Sequence, residues 1–69
     1  MKNKIREYRF TLNMSQQDLA NRCGVSRETI CRIEKNHTNP SLELAYHIAK
    51  SLDTTIEELF LLDKEPLLQ

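Results

Sequence analysis

The chain is 69 residues long, enough for one small domain with a limited core and too short for a second. With 39% hydrophobic residues, one Gly, no Trp and no strand-like alternation, it is expected to form an all-α bundle, and no apolar run is long enough to cross a membrane. The net charge is zero but split: residues 1–40 carry eight basic side chains against four acidic ones, and residues 41–69 carry two against six, an arrangement that orients a molecule on a polyanion.

Helix 1 is predicted from about Asn3 to Leu12. Ile5, Tyr8, Arg9 and Leu12 fall at i, i+3, i+4 and i+7 on one face. Arg9 is the charged member of that apolar stripe. Further along, Ile30, Ile33 and Glu34 form a second stripe that also holds one charge. A charge on a buried face must be paired, so Arg9 and Glu34 are expected to pair with each other.

The stretch SQQDLANRCGVSRETICRIEK, residues 15–35, predicts two short helices joined at Gly24. A helix-turn-helix crosses its helices steeply and commonly places Gly in the turn, where the left-handed conformation ends a helix. Ser15 is an N-cap with Asp18 three residues on, and Met14 and Leu19 sit where a hydrophobic staple would. Ser26 repeats the arrangement, flanked by Val25 and Ile30. Leu19, Ala20 and Cys23 face inward from the first helix of this pair, and Ile30 and Ile33 from the second. The outer side of the second helix is left with Arg27, Glu28, Thr29, Cys31, Arg32 and Lys35.

Helix 4 is expected after Pro40, with Ser41 as N-cap and Leu44, Ala45, Ile48, Ala49 and Leu52 on one face. A short helix 5 follows, with Thr55 and Glu58 as a full capping box. The last nine residues, LLDKEPLLQ, hold four leucines and a Pro that disfavours continuous helix. Two uses are open for them: a dimer contact, or a tail tucked onto helix 1 or 5. One domain is expected over residues 1–69.

MKNKIREYRF lacks the apolar region of a signal peptide, so a cytoplasmic protein is expected. Cys23 and Cys31 are then expected as free thiols. Neither Cys nor His spacing fits zinc. No nucleophile–base pair, metal cluster or phosphate-cradling Gly loop stands out, so neither enzyme activity nor a cofactor or small-molecule ligand is expected.

The segment SQQDLANRCGVSRETICRIEKNHTNPSLELAYHIAKSLDTTIEELF, residues 15–60, resembles the Cro/cI-type (XRE-like) helix-turn-helix regulators, in particular short stand-alone repressors of Gram-positive bacteria and their mobile elements. The resemblance implies a five-helix, lambda-repressor-like DNA-binding domain with helices 2 and 3 as the reading unit. It also implies a phosphate or base contact at Gln16, and agrees with the Arg9–Glu34 pair. Family members commonly have Gly where this chain has Asn13, Asn36 and Asp53. Asn and Asp are the side chains that best tolerate the left-handed region, so positive φ is expected at all three.

The candidate DNA-binding residues are therefore Gln16, Ser26, Arg27, Glu28, Thr29, Arg32, Lys35 and Asn36. Arg27 is placed to donate to guanine N7 and O6, Glu28 to accept from cytosine N4, and Thr29 to touch a thymine methyl or a phosphate. Lys35, Asn36, His37, Thr38 and Asn39 form a loop suited to phosphate contact. The expected function is a sequence-specific regulator that represses transcription as a homodimer on a two-fold symmetric site in double-stranded DNA. The alternatives are an antitoxin-type autorepressor and a protein-interaction module built on the same fold.

Overall fold

In the computed structural model, which describes residues 2–61, five helices surround one core. They are α1 (Ile5–Thr11), α2 (Gln16–Cys23), α3 (Arg27–Glu34), α4 (Leu42–Ser51) and α5 (Ile56–Leu59). Two short strands that the sequence does not announce, β1 (Lys2–Asn3) and β2 (Phe60–Leu61), pair antiparallel, with Lys2 opposite Leu61 and Asn3 opposite Phe60. Two residues per strand are too few to show alternation. The pairing arises because α5 brings the chain back past the start of α1, where the Lys4 N–H donates to the Leu59 carbonyl at 2.8 Å.

Helix α1 is shorter than its periodicity predicts. Asn3 belongs to β1, and its Oδ1 accepts from the Ile5 N–H at 3.2 Å, which starts the helix two residues later. At the other end Leu12 is the C-cap and is 44% exposed, so it leaves the apolar stripe.

Four helices end with the same hydrogen-bonded turn. The residue after each C-cap turn donates back five positions: Met14 to Arg9, Val25 to Ala20, His37 to Arg32 and Thr54 to Ala49, all at 2.9–3.0 Å. This closure requires a left-handed residue just before the donor. Asn13, Gly24, Asn36 and Asp53 supply it, with φ of 59°, 71°, 62° and 58°. The expectation of positive φ at the three non-Gly positions therefore holds.

The helix starts are capped as predicted, with one exception. Ser15 and Asp18 make a reciprocal capping box, and Ser26 and Ser41 accept from the N–H groups of Thr29 and Leu44. Thr55 accepts from the Glu58 N–H, but the return bond of a full box is not made.

The core is apolar and continuous. Ile5, Leu19, Ala20, Ile30, Ile33, Ile48, Ala49, Leu52, Leu59 and Phe60 are all at most 2% exposed, and Met14 and Ala45 complete it. Ala20 lets α3 and α4 pack close to α2, as a small residue there should. Of the leucines assigned to a dimer contact, Leu61 is described and exposed, while Leu62, Leu67 and Leu68 lie outside the described residues.

Candidate nucleic-acid interface

The outer side of α3 is open. Arg27, Glu28, Arg32, Lys35 and Asn36 are exposed, and Thr29 and Cys31 are half-buried. Ser26 is spent on structure: its Oγ accepts from the Thr29 N–H at 3.2 Å and bonds the Thr29 hydroxyl at 2.9 Å. Gln16 stands at the first position of α2, half-buried, directly beside the start of α3.

Behind this surface lies a polar chain that begins in the core. Arg9 is 6% exposed. Its Nε donates to Glu34 Oε2 at 2.7 Å, its Nη2 to Glu34 Oε1 at 3.2 Å, and its Nη1 to the Met14 carbonyl at 2.9 Å. The paired charges predicted from the two stripes are thus joined through a fork-to-fork contact, the geometry that repays desolvation best. Gln16 Nε2 then donates to Glu34 Oε1 at 3.2 Å, and Arg27 Nη1 donates to Gln16 Oε1 at 3.3 Å. The ion pair therefore fixes which way the Gln16 amide points, and that amide in turn holds Arg27.

A sequence reading pairs Arg9 with Glu34 but misses the two further links. They depend on how α2 and α3 cross, which residue spacing does not encode. It also misses Asn3, whose only signal was a carboxamide just before the first apolar position of α1. In the structure Asn3 Nδ2 donates to the Ile33 carbonyl at 3.0 Å and to Asn36 Oδ1 at 3.4 Å. Asn3, Arg6, Gln16, Glu34 and Lys35 together line a cleft of about 370 Å³ beside the reading unit.

Two groups have displaced pKa values. The Ser15 N–H and hydroxyl, both bonded to the capping box, hold the fully exposed Asp18 carboxyl below its ordinary 3.8, and Arg22 adds to the effect. Burial raises the Cys23 thiol, opposed by Ser51 at 3.7 Å, so Cys23 is a neutral side chain against the core. Both cysteines are free. Among the described residues no group of three or more His, Cys, Asp or Glu is placed to hold a metal ion. No helix among them is long and apolar enough to cross a membrane.

A helix-turn-helix family profile matches residues 5–59. An uncharacterized HTH-type transcriptional regulator of Archaeoglobus fulgidus is 49% identical over 67 residues, covering 97% of this chain and 94% of its own. The uncharacterized HTH-type transcriptional regulator MJ0272 of Methanocaldococcus jannaschii is 48% identical, covering 94% of this chain and 98% of its own. Among solved structures, the restriction-modification controller protein C.AhdI of Aeromonas hydrophila superposes with a TM-score of 0.77 at 33% identity, covering 83% of this chain and 86% of its own. The DNA-binding domain of the P22 C2 repressor gives 0.75 at 30% identity, covering 78% and 71%. SinR, the master regulator for biofilm formation, solved in complex with DNA, gives 0.71 at 31%, covering 77% and 86%.

Proposed function

The chain belongs to the helix-turn-helix family as a Cro/cI-type transcriptional regulator, in a family of DNA-binding proteins and not of enzymes, and from that premise we propose that it is a cytoplasmic repressor. It acts as a homodimer that occupies a two-fold symmetric operator in double-stranded DNA and blocks transcription by occlusion. The observation that carries this reading is the open side of α3: Arg27, Glu28 and Arg32 are exposed, and Arg27 is steadied by Gln16.

Arg27 reads guanine N7 and O6, and Glu28 accepts from cytosine N4. The Thr29 hydroxyl is paired with Ser26, so Thr29 offers its methyl to thymine. Arg32 reaches a base or the backbone one turn on. Gln16, at the positive end of α2, with Lys35 and Asn36 at the far end of α3, binds phosphate. Ser26 supports the set as the N-cap of α3 more than as a direct contact.

One domain offers few base contacts. Two copies on half-sites roughly 34 Å apart would supply specificity. The exposed Leu61, together with the leucine-rich sequence that follows it, supports an apolar contact between copies.

Selection of binding sites from a random duplex pool tests the whole reading. Enrichment of one palindromic site, with affinity falling steeply as salt rises, is the expected result. No enrichment, with salt-insensitive capture of a protein partner, would favour the interaction-module alternative instead. A light-scattering mass at the monomer value across micromolar concentrations defeats the homodimer.

A further inference from the structure

We propose that Asn3 is a positioning residue for the protein–DNA contact: through its carboxamide it turns the Asn36 amide so that the donor end faces the DNA backbone. The inference rests on the DNA-binding reading and adds to it a residue outside the helix-turn-helix. Asn3 lies 33 positions before Asn36 and reaches it from β1, across the end of α3.

Its carboxamide is used at both ends. Oδ1 accepts from the Ile5 N–H at 3.2 Å and so starts α1. Nδ2 donates to the Ile33 carbonyl at 3.0 Å, in the last turn of α3, and to Asn36 Oδ1 at 3.4 Å. A primary amide has one acceptor end and one donor end. With its oxygen engaged by Asn3, the exposed Asn36 has its NH₂ end to offer to a phosphate.

The backbone at Asn36 is fixed as well. Its φ of 62° belongs to the turn closed by the His37 N–H and the Arg32 carbonyl at 2.9 Å. The side chain therefore leaves from a fixed point, and Asn3 sets its remaining rotation. Lys35 is the neighbouring cation, and it lines the same cleft as Asn3 and Gln16. A phosphate lying along that edge would meet the Lys35 ammonium and the Asn36 NH₂ together. Asn3 is half-buried and bonded to protein groups at both ends of its amide, so it orients this contact without touching DNA itself.

The test is a double-mutant cycle on binding to a mixed-sequence DNA duplex at fixed salt, with Asn3→Ser and Asn36→Gly. Ser keeps an acceptor for the Ile5 N–H but is too short to reach Ile33 or Asn36. Gly accepts the positive φ and removes the amide. Asn36→Gly is expected to weaken binding about tenfold, the worth of one hydrogen bond to a charged group. Asn3→Ser weakens it by a smaller factor, equally on all sequences. The double variant is expected to bind no more weakly than Asn36→Gly alone, whereas Asn3→Ser and Arg27→Ala multiply independently.

A full independent loss from Asn3→Ser in the Asn36→Gly background, or no loss in the native background, overturns the proposal, as does unchanged binding by Asn36→Gly. Failure of the native protein to bind any duplex sinks the DNA-binding reading itself and is a separate result. Where Asn3→Ser loses its helical circular dichroism, Asn3→Asp takes its place in the same cycle. Asp keeps the acceptor for Ile5 and draws the Asn36 NH₂ inward, so its effect also has to vanish once Asn36 is Gly.

Discussion

The two halves of this molecule share one apolar core, but the first adds a directional polar network to it. The end of α1, the start of α2 and α3 are joined by a directional chain from Arg9 through Glu34 and Gln16 to Arg27. The half built from α4, α5 and β2 is held by Ala45, Ile48, Ala49, Leu52, Leu59 and Phe60, which pack without a buried ion pair. Apolar burial stabilises but does not aim side chains. Hydrogen bonds to charged groups do aim them, and they occur where a side chain must meet a base edge at a set angle. Both halves thus contribute to cohesion, and the basic half adds position.

The sharpest way to break this contrast is to damage each half to a similar degree. Glu34→Ala leaves Arg9 buried without its partner and should cost about 3–5 kcal/mol of stability. Ile48→Ala leaves a cavity and should cost about 2–5 kcal/mol. Denaturant titration should show comparable losses. Only Glu34→Ala should also blur base preference at temperatures where both proteins remain folded, because only it frees Gln16 and Arg27. Equal preference in the two variants removes the distinction.

A smaller effect isolates the reading side chain. Arg27→Ala should leave stability almost unchanged, weaken operator binding by about 1–3 kcal/mol and relax selection at one base position. Binding measured against all operator variants checks it. Smaller again is the turn between α2 and α3. A Cβ at Gly24 meets nothing within 4 Å, so Gly24→Ala tests backbone strain alone. With φ at 71° it should cost about 1–2 kcal/mol, read as a lower denaturation midpoint.

The smallest effect is electrostatic. The Asp18 carboxyl is held below its ordinary 3.8 by its bonds to Ser15. A depressed folded value means that its contribution is present above the ordinary value and is lost as pH falls through the lowered one. Stability should therefore decline below about pH 4 in the native protein, and that decline should be shallower in Asp18→Asn. Identical pH profiles would mean that the capping box has no energetic weight.

Much of this was legible in the sequence, and for identifiable reasons. The Arg9–Glu34 pair was legible because each charge interrupts an apolar stripe. The left-handed turns were legible because Asn13, Gly24, Asn36 and Asp53 follow helical segments and are the residue types that tolerate that conformation. The caps at Ser15, Ser26 and Ser41 were legible as local signals. What stayed hidden depends on distance along the chain. The β1–β2 pairing, the Gln16–Arg27 link and the Asn3 contacts join segments whose relation is set only once the helices have crossed. The half-buried Cys31 also shows the limit of reading one helix alone, since its spacing places it on the outer arc.

The strand pair has a kinetic consequence. It joins residue 3 to residue 60, so almost the whole chain must be in place before it can close. The turns that end the helices, by contrast, close over five residues. Such local closures form early and distant ones late. The ribbon is then the last element to zip and the first to open, and its amides should exchange with deuterated solvent well before those of α2 and α4.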